Sequence, residues 1–310
     1  MTTLGLIFPP SRPPEQLKAT ARAAEDAGLE QLWLWEDCFK ESGIATAAAV
    51  LGWTERLAVG IGLLPVPLRN VALTAMELAT IERLFPGRLV PGVGHGVLEW
   101  MGQVGARAES PMTLLREYTL ALRQLLAGDK VTVEGRYVRL SEVALDWPPA
   151  APPSVLVGAV RDKTVQLAGE VGDGVILTDE AKPERVREVV RAIADARASA
   201  GRGASGGRGA SAGRGASGGL DVGDRRDASA EPASSDEPGT DAAVTSATQV
   251  VAFIPVDHGL DAAGVADVVG RYADAGATHT ILLAVGDDEQ GIDLADYARF
   301  VAAEVRPLVP

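Results

Sequence analysis

Cysteine is almost missing from this chain. A single residue, Cys38, stands among 310 positions, which excludes an internal disulfide framework and any CxxC metal site. Histidine is nearly as scarce: His95, His258 and His279 lie far apart and never approach the spacing of a zinc site. The lysines are Lys18, Lys40, Lys130, Lys163 and Lys182, none within a run that reads as a core strand, so Schiff-base chemistry lacks its nucleophile. No apolar stretch approaches the ~18–20 residues needed to span a bilayer. Thr2 leads into a short apolar run closed by Pro9-Pro10, not into a basic-plus-apolar leader. Positive charge is also in deficit, at 29 Lys and Arg against 42 Asp and Glu. The resulting −13 disfavours a nucleic-acid backbone or an anionic membrane as partner. A soluble, cytoplasmic chain acting on a small molecule is the expectation.

What is present is a rhythm. Apolar runs of strand length occur at Leu4–Phe8, Gln31–Trp35, Leu57–Leu64, Arg88–Val93, Ser154–Val157, Gly174–Leu177, Val250–Pro255 and Thr280–Val285. Helical patterns follow each, over 13–27, 44–53, 70–84, 110–127, 164–171, 183–198, 264–275 and 294–308. Gly28 and Gly128 stand in helix-stop positions, and Asn70 and Ser110 in N-cap positions. Strands apolar on both sides belong to a parallel sheet covered by helices, and eight such units fit a closed (β/α)8 TIM barrel. Val131–Leu140, with Glu134-Gly135 at its centre, reads as a small hairpin insertion.

The rhythm breaks once. Residues 199–247 hold RGASGG, RGASAG and RGASGG in succession, then a stretch rich in Asp, Ser, Ala, Glu and Pro. Nothing there can bury enough apolar surface to offset ordering entropy. The expectation is a single barrel domain made of 1–198 and 248–310, interrupted by a disordered low-complexity insert.

In such a barrel, chemistry sits at the carboxyl ends of the strands. The second strand ends in Trp35-Glu36-Asp37-Cys38, and of two adjacent carboxylates only one enters the mouth easily. The fourth ends in Gly92-Val93-Gly94-His95-Gly96, where alternating glycines leave room for something flat and expose a histidine to it. The fifth leads through Gly158-Ala159 into a helix start flanked by Arg161 and Lys163, either an anion cradle or an ordinary turn.

These stretches, with Gly62 to Asn70, Thr113 to Tyr118 and Ala168 to Thr178, resemble the luciferase-like oxidoreductases, and in particular their deazaflavin-dependent branch. The resemblance implies a flavin-type ring in the mouth and a non-proline cis peptide near Leu63-Leu64 behind it. It implies cofactor contacts from Leu63, Leu64, Gly94, His95, Gly96, Arg161 and Asp173, with Gly158, Ala159 and Thr178 holding the cofactor phosphate. Glu36, Asp37 and His95 match positions that handle protons. The chain departs from the family pattern at Arg161-Asp162, where many relatives have Gly-Pro, and at Val97, where some place an acid. The function implied is hydride transfer between coenzyme F420 and a small organic substrate. The alternatives are a monooxygenase using FMN from a separate reductase, or a non-catalytic flavin-binding barrel. Relatives of this kind are commonly homodimers.

Overall fold

A computed structural model describes residues 1–178, 182–205, 248–286 and 291–309. Its strands are β1 (Thr3–Phe8), β2 (Gln31–Leu34), β3 (Ala58–Pro65), β4 (Leu89–Gly94), β5 (Val131–Glu134), β6 (Arg139–Val143), β7 (Leu156–Gly158), β8 (Gly174–Leu177), β9 (Gln249–Asp257) and β10 (His279–Val285). Eight of them close in the order β1-β2-β3-β4-β7-β8-β9-β10, every pair parallel. The expected TIM barrel is therefore the fold, and β5 and β6 form the antiparallel hairpin beside it.

Alternation divides the strand residues between two cores. One face of each strand packs outward under the helices, with Leu4, Leu6, Leu32, Leu34, Val59, Ile61, Val157, Val175, Ile254 and Leu282 in one large cluster. The other face fills the lumen with Ile7, Trp33, Leu156, Ile176, Val251, Phe253 and Ile281. This double burial is why the strands read as continuous apolar runs.

The helices are α1 (Leu17–Ala27), α2 (Gly43–Trp53), α3 (Val71–Leu84), α4 (Leu98–Gln103), α5 (Pro111–Leu126), α6 (Asp162–Val171), α7 (Pro183–Ser205), α8 (Ala262–Asp274) and α9 (Leu294–Phe300). Several are fixed by side-chain caps: Asn70 accepts from Ala72 N at 2.9 Å, Asp261 from Gly264 N at 2.8 Å and Asp293 from Ala295 N at 2.8 Å. Gly28 closes α1 at φ +83°, a conformation that would strain a residue with a side chain.

Ser110 occupies the N-cap position of α5 but bonds no backbone amide, and its hydroxyl meets Thr113 Oγ1 at 2.8 Å. Short α4 was not legible, since Val97 before it offers no capping side chain. The last helix changes pitch, passing through a π turn at Val301–Val305 into a 3-10 turn at Arg306–Leu308. The helix expected to stop at Ala198 runs on to Ser205. Of the low-complexity insert expected over 199–247, residues 206–247 lie outside the described residues.

Candidate active site

The carboxyl ends of the eight strands bring most of the anticipated residues to one rim. Following the inward register from Trp33, Leu156 and Ile176, the next inward positions are Trp35, Gly158 and Thr178. Gly94 joins them from β4, two residues past Gly92 in the same alternation.

On β3 the pairing with β4 shifts register between Ile61 and Leu64, and the peptide bond Gly62-Leu63 is cis. The sequence placed this bond near Leu63-Leu64, one peptide later. The shift turns the Leu63 side chain across the mouth. A Cβ built on Gly94 would lie 2.5 Å from Leu63 Cδ2, and one on Gly158 only 2.2 Å from the same atom. The glycines therefore make room for Leu63, which corrects the expectation that they receive a flat ligand directly. Leu63 becomes an aliphatic wall over β3, β4 and β7. Leu64 points the other way and is 1% exposed within the outer core, so it cannot touch a ring in the mouth.

The two acids that follow β2 meet different partners. Glu36 turns outward, where Arg69 reaches it through Nε at 3.1 Å and Nη2 at 2.8 Å, and Gly43 N donates at 2.8 Å. Both carboxylate oxygens are thereby engaged, and Arg69 continues to Glu77 at 3.0 Å. Glu36 thus ties the end of β2 to α2 and, through Arg69, to α3. Asp37 lies three residues past the end of β2 and is half-buried. Burial pushes its carboxyl above the usual aspartate range, and Lys40, 4.0 Å away, pulls back weakly. Burial also raises the Cys38 thiol, reinforced by the charges of Glu36 and Asp37.

His95 stands just beyond Gly94. Its Nδ1 is buried with no hydrogen-bond partner. Burial lowers its pKa, opposed by the Pro111 carbonyl, so the neutral imidazole is the resting form at neutral pH. Gly96 has φ +68°, and a Cβ there would fall 2.9 Å from Pro65.

At the β7–α6 junction the Ala159 amide donates to the Ile176 carbonyl at 3.0 Å, so it is committed to the sheet and is no phosphate donor. At the start of α6 the Thr164 and Val165 amides donate to the Arg161 carbonyl at 2.9 and 3.0 Å, so the helix's own ladder leaves only those of Asp162 and Lys163 aside, and Arg161 at the N-cap supplies no side-chain bond. Arg161 and Lys163 are exposed beside them. Asp162 pairs with Arg185 at 2.6 Å on the surface, which sets a cation against its charge.

Asp173 is at the wrong end. It precedes β8, accepts from Arg123 Nη2 at 2.6 Å and from Val155 N at 2.9 Å, and braces the amino-terminal face of the barrel. The sequence motif spans it and Thr178 together, but the intervening strand sends them to opposite faces. A residue the sequence reading passed over is Trp35, whose ring packs on the lumen cluster 5.8 Å from Phe253 and whose Nε1 is buried without a partner. Among the described residues no cluster of three or more His, Cys, Asp or Glu could hold a metal, and no helix is long and apolar enough to cross a membrane.

The closed parallel barrel thus carries an aliphatic wall, Leu63, at the end of β3 and a helix start flanked by Arg161 and Lys163 after β7. The family model of the luciferase-like monooxygenases matches residues 4–295, and the chain belongs to that family. A 5,10-methylenetetrahydromethanopterin reductase of Methanolobus tindarius is 29% identical over 192 residues, 62% of this chain and 58% of the relative. An F420-dependent glucose-6-phosphate dehydrogenase of Kineococcus radiotolerans is 33% identical over 180 residues, 53% of this chain and 52% of the relative. The chain thus spans little more than half the length of these relatives. An F420-dependent secondary alcohol dehydrogenase, solved with an F420-acetone adduct, shares the fold with a TM-score of 0.76 at 17% identity over 100% of both chains.

Proposed function

We propose that this protein is an oxidoreductase that binds coenzyme F420 and transfers hydride between it and a small organic substrate. The observation that carries the reading is the Leu63 wall with its two clearing glycines, Gly94 and Gly158, at the same end of the barrel as His95 and the start of α6. A tricyclic ring fits against an aliphatic wall, and a phosphate fits a helix start with two cations beside it. F420-dependent enzymes among its relatives support the same choice.

When bound, the cofactor supplies the hydride acceptor or donor, and the protein does the rest. Leu63 would hold the ring from behind, with His95 beside it at the end of β4. Thr178, Arg161, Lys163 and the first α6 amides hold the phosphate. Asp37 handles the substrate proton, because its raised carboxyl can be protonated nearer neutrality than a solvated aspartate. Glu36 is a positioning residue, since Arg69 occupies both of its oxygens.

Titration of the apoprotein with coenzyme F420 and with FMN, each followed by fluorescence quenching, tests the reading. Micromolar binding of F420 in preference to FMN is expected. Preference for FMN would replace this reading with an FMN-dependent monooxygenase, and binding of neither would remove both. Asp37→Asn should keep cofactor affinity and lose turnover by about 100-fold.

A further inference from the structure

Four consecutive residues at the β7–α6 junction, Val160, Arg161, Asp162 and Lys163, are exposed, and even the apolar Val160 is 58% exposed. Packing therefore cannot fix this turn. On one side it is tied by the Ala159 amide, which donates to the Ile176 carbonyl of β8 at 3.0 Å. Beyond that point it is held from α7. Arg185 Nη2 donates to the Val160 carbonyl at 3.2 Å and to Asp162 Oδ1 at 2.6 Å, gripping the turn on both sides of Arg161. Arg161 between them is extended, at φ −96° and ψ 152°, and its carbonyl starts the α6 ladder.

Arg185 is poorly placed for its own helix. It stands in the first turn of α7, where the helix dipole disfavours a cation. Its bond to Glu188 Oε2, at 3.1 Å, is an exposed pair of small worth. Further along, α6 and α7 need no clamp. A Cβ on Gly169 would lie 2.8 Å from Ala196 Cβ and 3.1 Å from Ile193 Cα, so the helices already meet closely there. Arg185 ties them a second time at their starts, where the exposed residues of the turn cannot pack.

We propose that Arg185 is a positioning residue, which fixes the turn that presents Arg161, Lys163 and the start of α6 to the cofactor phosphate. This rests on the cofactor reading above. A trans peptide sets N–H opposite C=O, so a Val160 carbonyl held toward α7 sends the Arg161 amide the other way. The contribution of Arg185 is to geometry, since Nη1 and Nη2 are both engaged within the protein. Without that grip the turn and its two cations would sample several arrangements, and the phosphate would have to order them at a cost in affinity.

The test separates geometry from charge. Proline at a first helical position locks φ near about −65° and suits a preceding extended residue, as Arg161 is, so Asp162→Pro supplies a lock from within the chain. In Arg185→Ala the dissociation constant for F420, by fluorescence quenching, should rise about 10-fold, while that of its deazariboflavin fragment, which ends before the phosphate, should change by less than about 2-fold. Two double variants, Arg185→Ala with Asp162→Asn and Arg185→Ala with Asp162→Pro, carry the same charge. The first should stay weak, and the second should recover most of the F420 affinity. In ligand-free protein, amide exchange at Thr164 and Val165 should rise in Arg185→Ala and fall back in the proline double variant. Equal losses for F420 and its fragment, equal affinities in the two double variants, or exchange indifferent to Arg185 would overturn the proposal. Should wild type take FMN in place of F420, the F420 reading falls alone, and FMN against riboflavin decides this proposal by the same differences.

Discussion

Single residues show best where reading a motif and reading a fold diverge. Asp173 and Thr178 belong to one recognisable stretch, but the four residues of β8 between them span the barrel, so only Thr178 reaches the mouth. Glu36 and Asp37 were distinguishable in principle, because alternation admits one of them, but the sequence could not say which. Arg69 decides it, through contacts 33 residues apart in the chain that no local pattern reveals. Glu36→Ala should therefore destabilise the fold rather than merely remove a proton. It leaves Arg69, with a largely buried side chain, to Glu77 alone, and a loss of about 3 kcal/mol in urea unfolding is expected. A variant as stable as wild type would return Glu36 to the list of candidate acids. His95 offers a pH test. Its folded pKa lies below the usual 6.5, so the stability it contributes is present above that value and is lost as pH falls through the folded one. Between pH 7.5 and 5, wild type should lose more unfolding free energy than His95→Gln. His279 is depressed by burial too, but it is common to both proteins and cancels in the difference. Parallel pH profiles would show that His95 is not buried as a neutral ring.

Among elements, the barrel strands were legible because burial on both faces leaves a continuous apolar run, and their helices because Gly28, Asn70 and similar stops mark the ends. The β3 irregularity was placed one peptide late, since nothing in Gly62-Leu63-Leu64 tells which bond turns the chain. The hairpin β5–β6 was visible, but not what holds it. The Glu117 carboxylate accepts the amides of Arg136 at 2.9 Å, Tyr137 at 2.8 Å and Val138 at 3.0 Å, and burial costs are outweighed so that its pKa is held down. Tyr137 in turn accepts from Ser110 N at 2.7 Å, just before the Pro111 whose carbonyl faces His95. The hairpin thus steadies the start of α5 at the edge of the mouth. Glu117→Ala should raise amide exchange across 131–143 by about 10- to 100-fold while the barrel strands stay protected. Because its folded pKa is depressed, the wild-type clasp is present above the usual glutamate value and is lost as pH falls through the folded one. The variant's excess exchange should therefore shrink at low pH. Equal loss of protection in the barrel strands would mean that the hairpin is part of the main folding unit and not a satellite.

At the scale of the whole molecule, charge sets a conflict that the site has to resolve. The chain carries −13 overall, and coenzyme F420 is itself an anion, with a phosphodiester and carboxylates. From a distance the two repel, and on the proposed reading Arg161, Lys163 and the start of α6 would prevail only within a Debye length, about 8–10 Å at physiological salt. The two ranges act on different rate constants. Salt screens the long-range repulsion and should speed association, by about 2- to 5-fold between 10 and 200 mM NaCl in stopped-flow fluorescence. Salt also weakens the local cation contacts and should speed dissociation, so affinity changes less than either rate. Arg161→Ala and Lys163→Ala should raise the dissociation rate and leave the sign of the association effect unchanged. An association rate that falls with salt would mean that the mouth carries enough local positive potential to steer the cofactor against the net charge. The approach path would then begin at the cations of the α6 entrance, and the global charge would matter only for solubility.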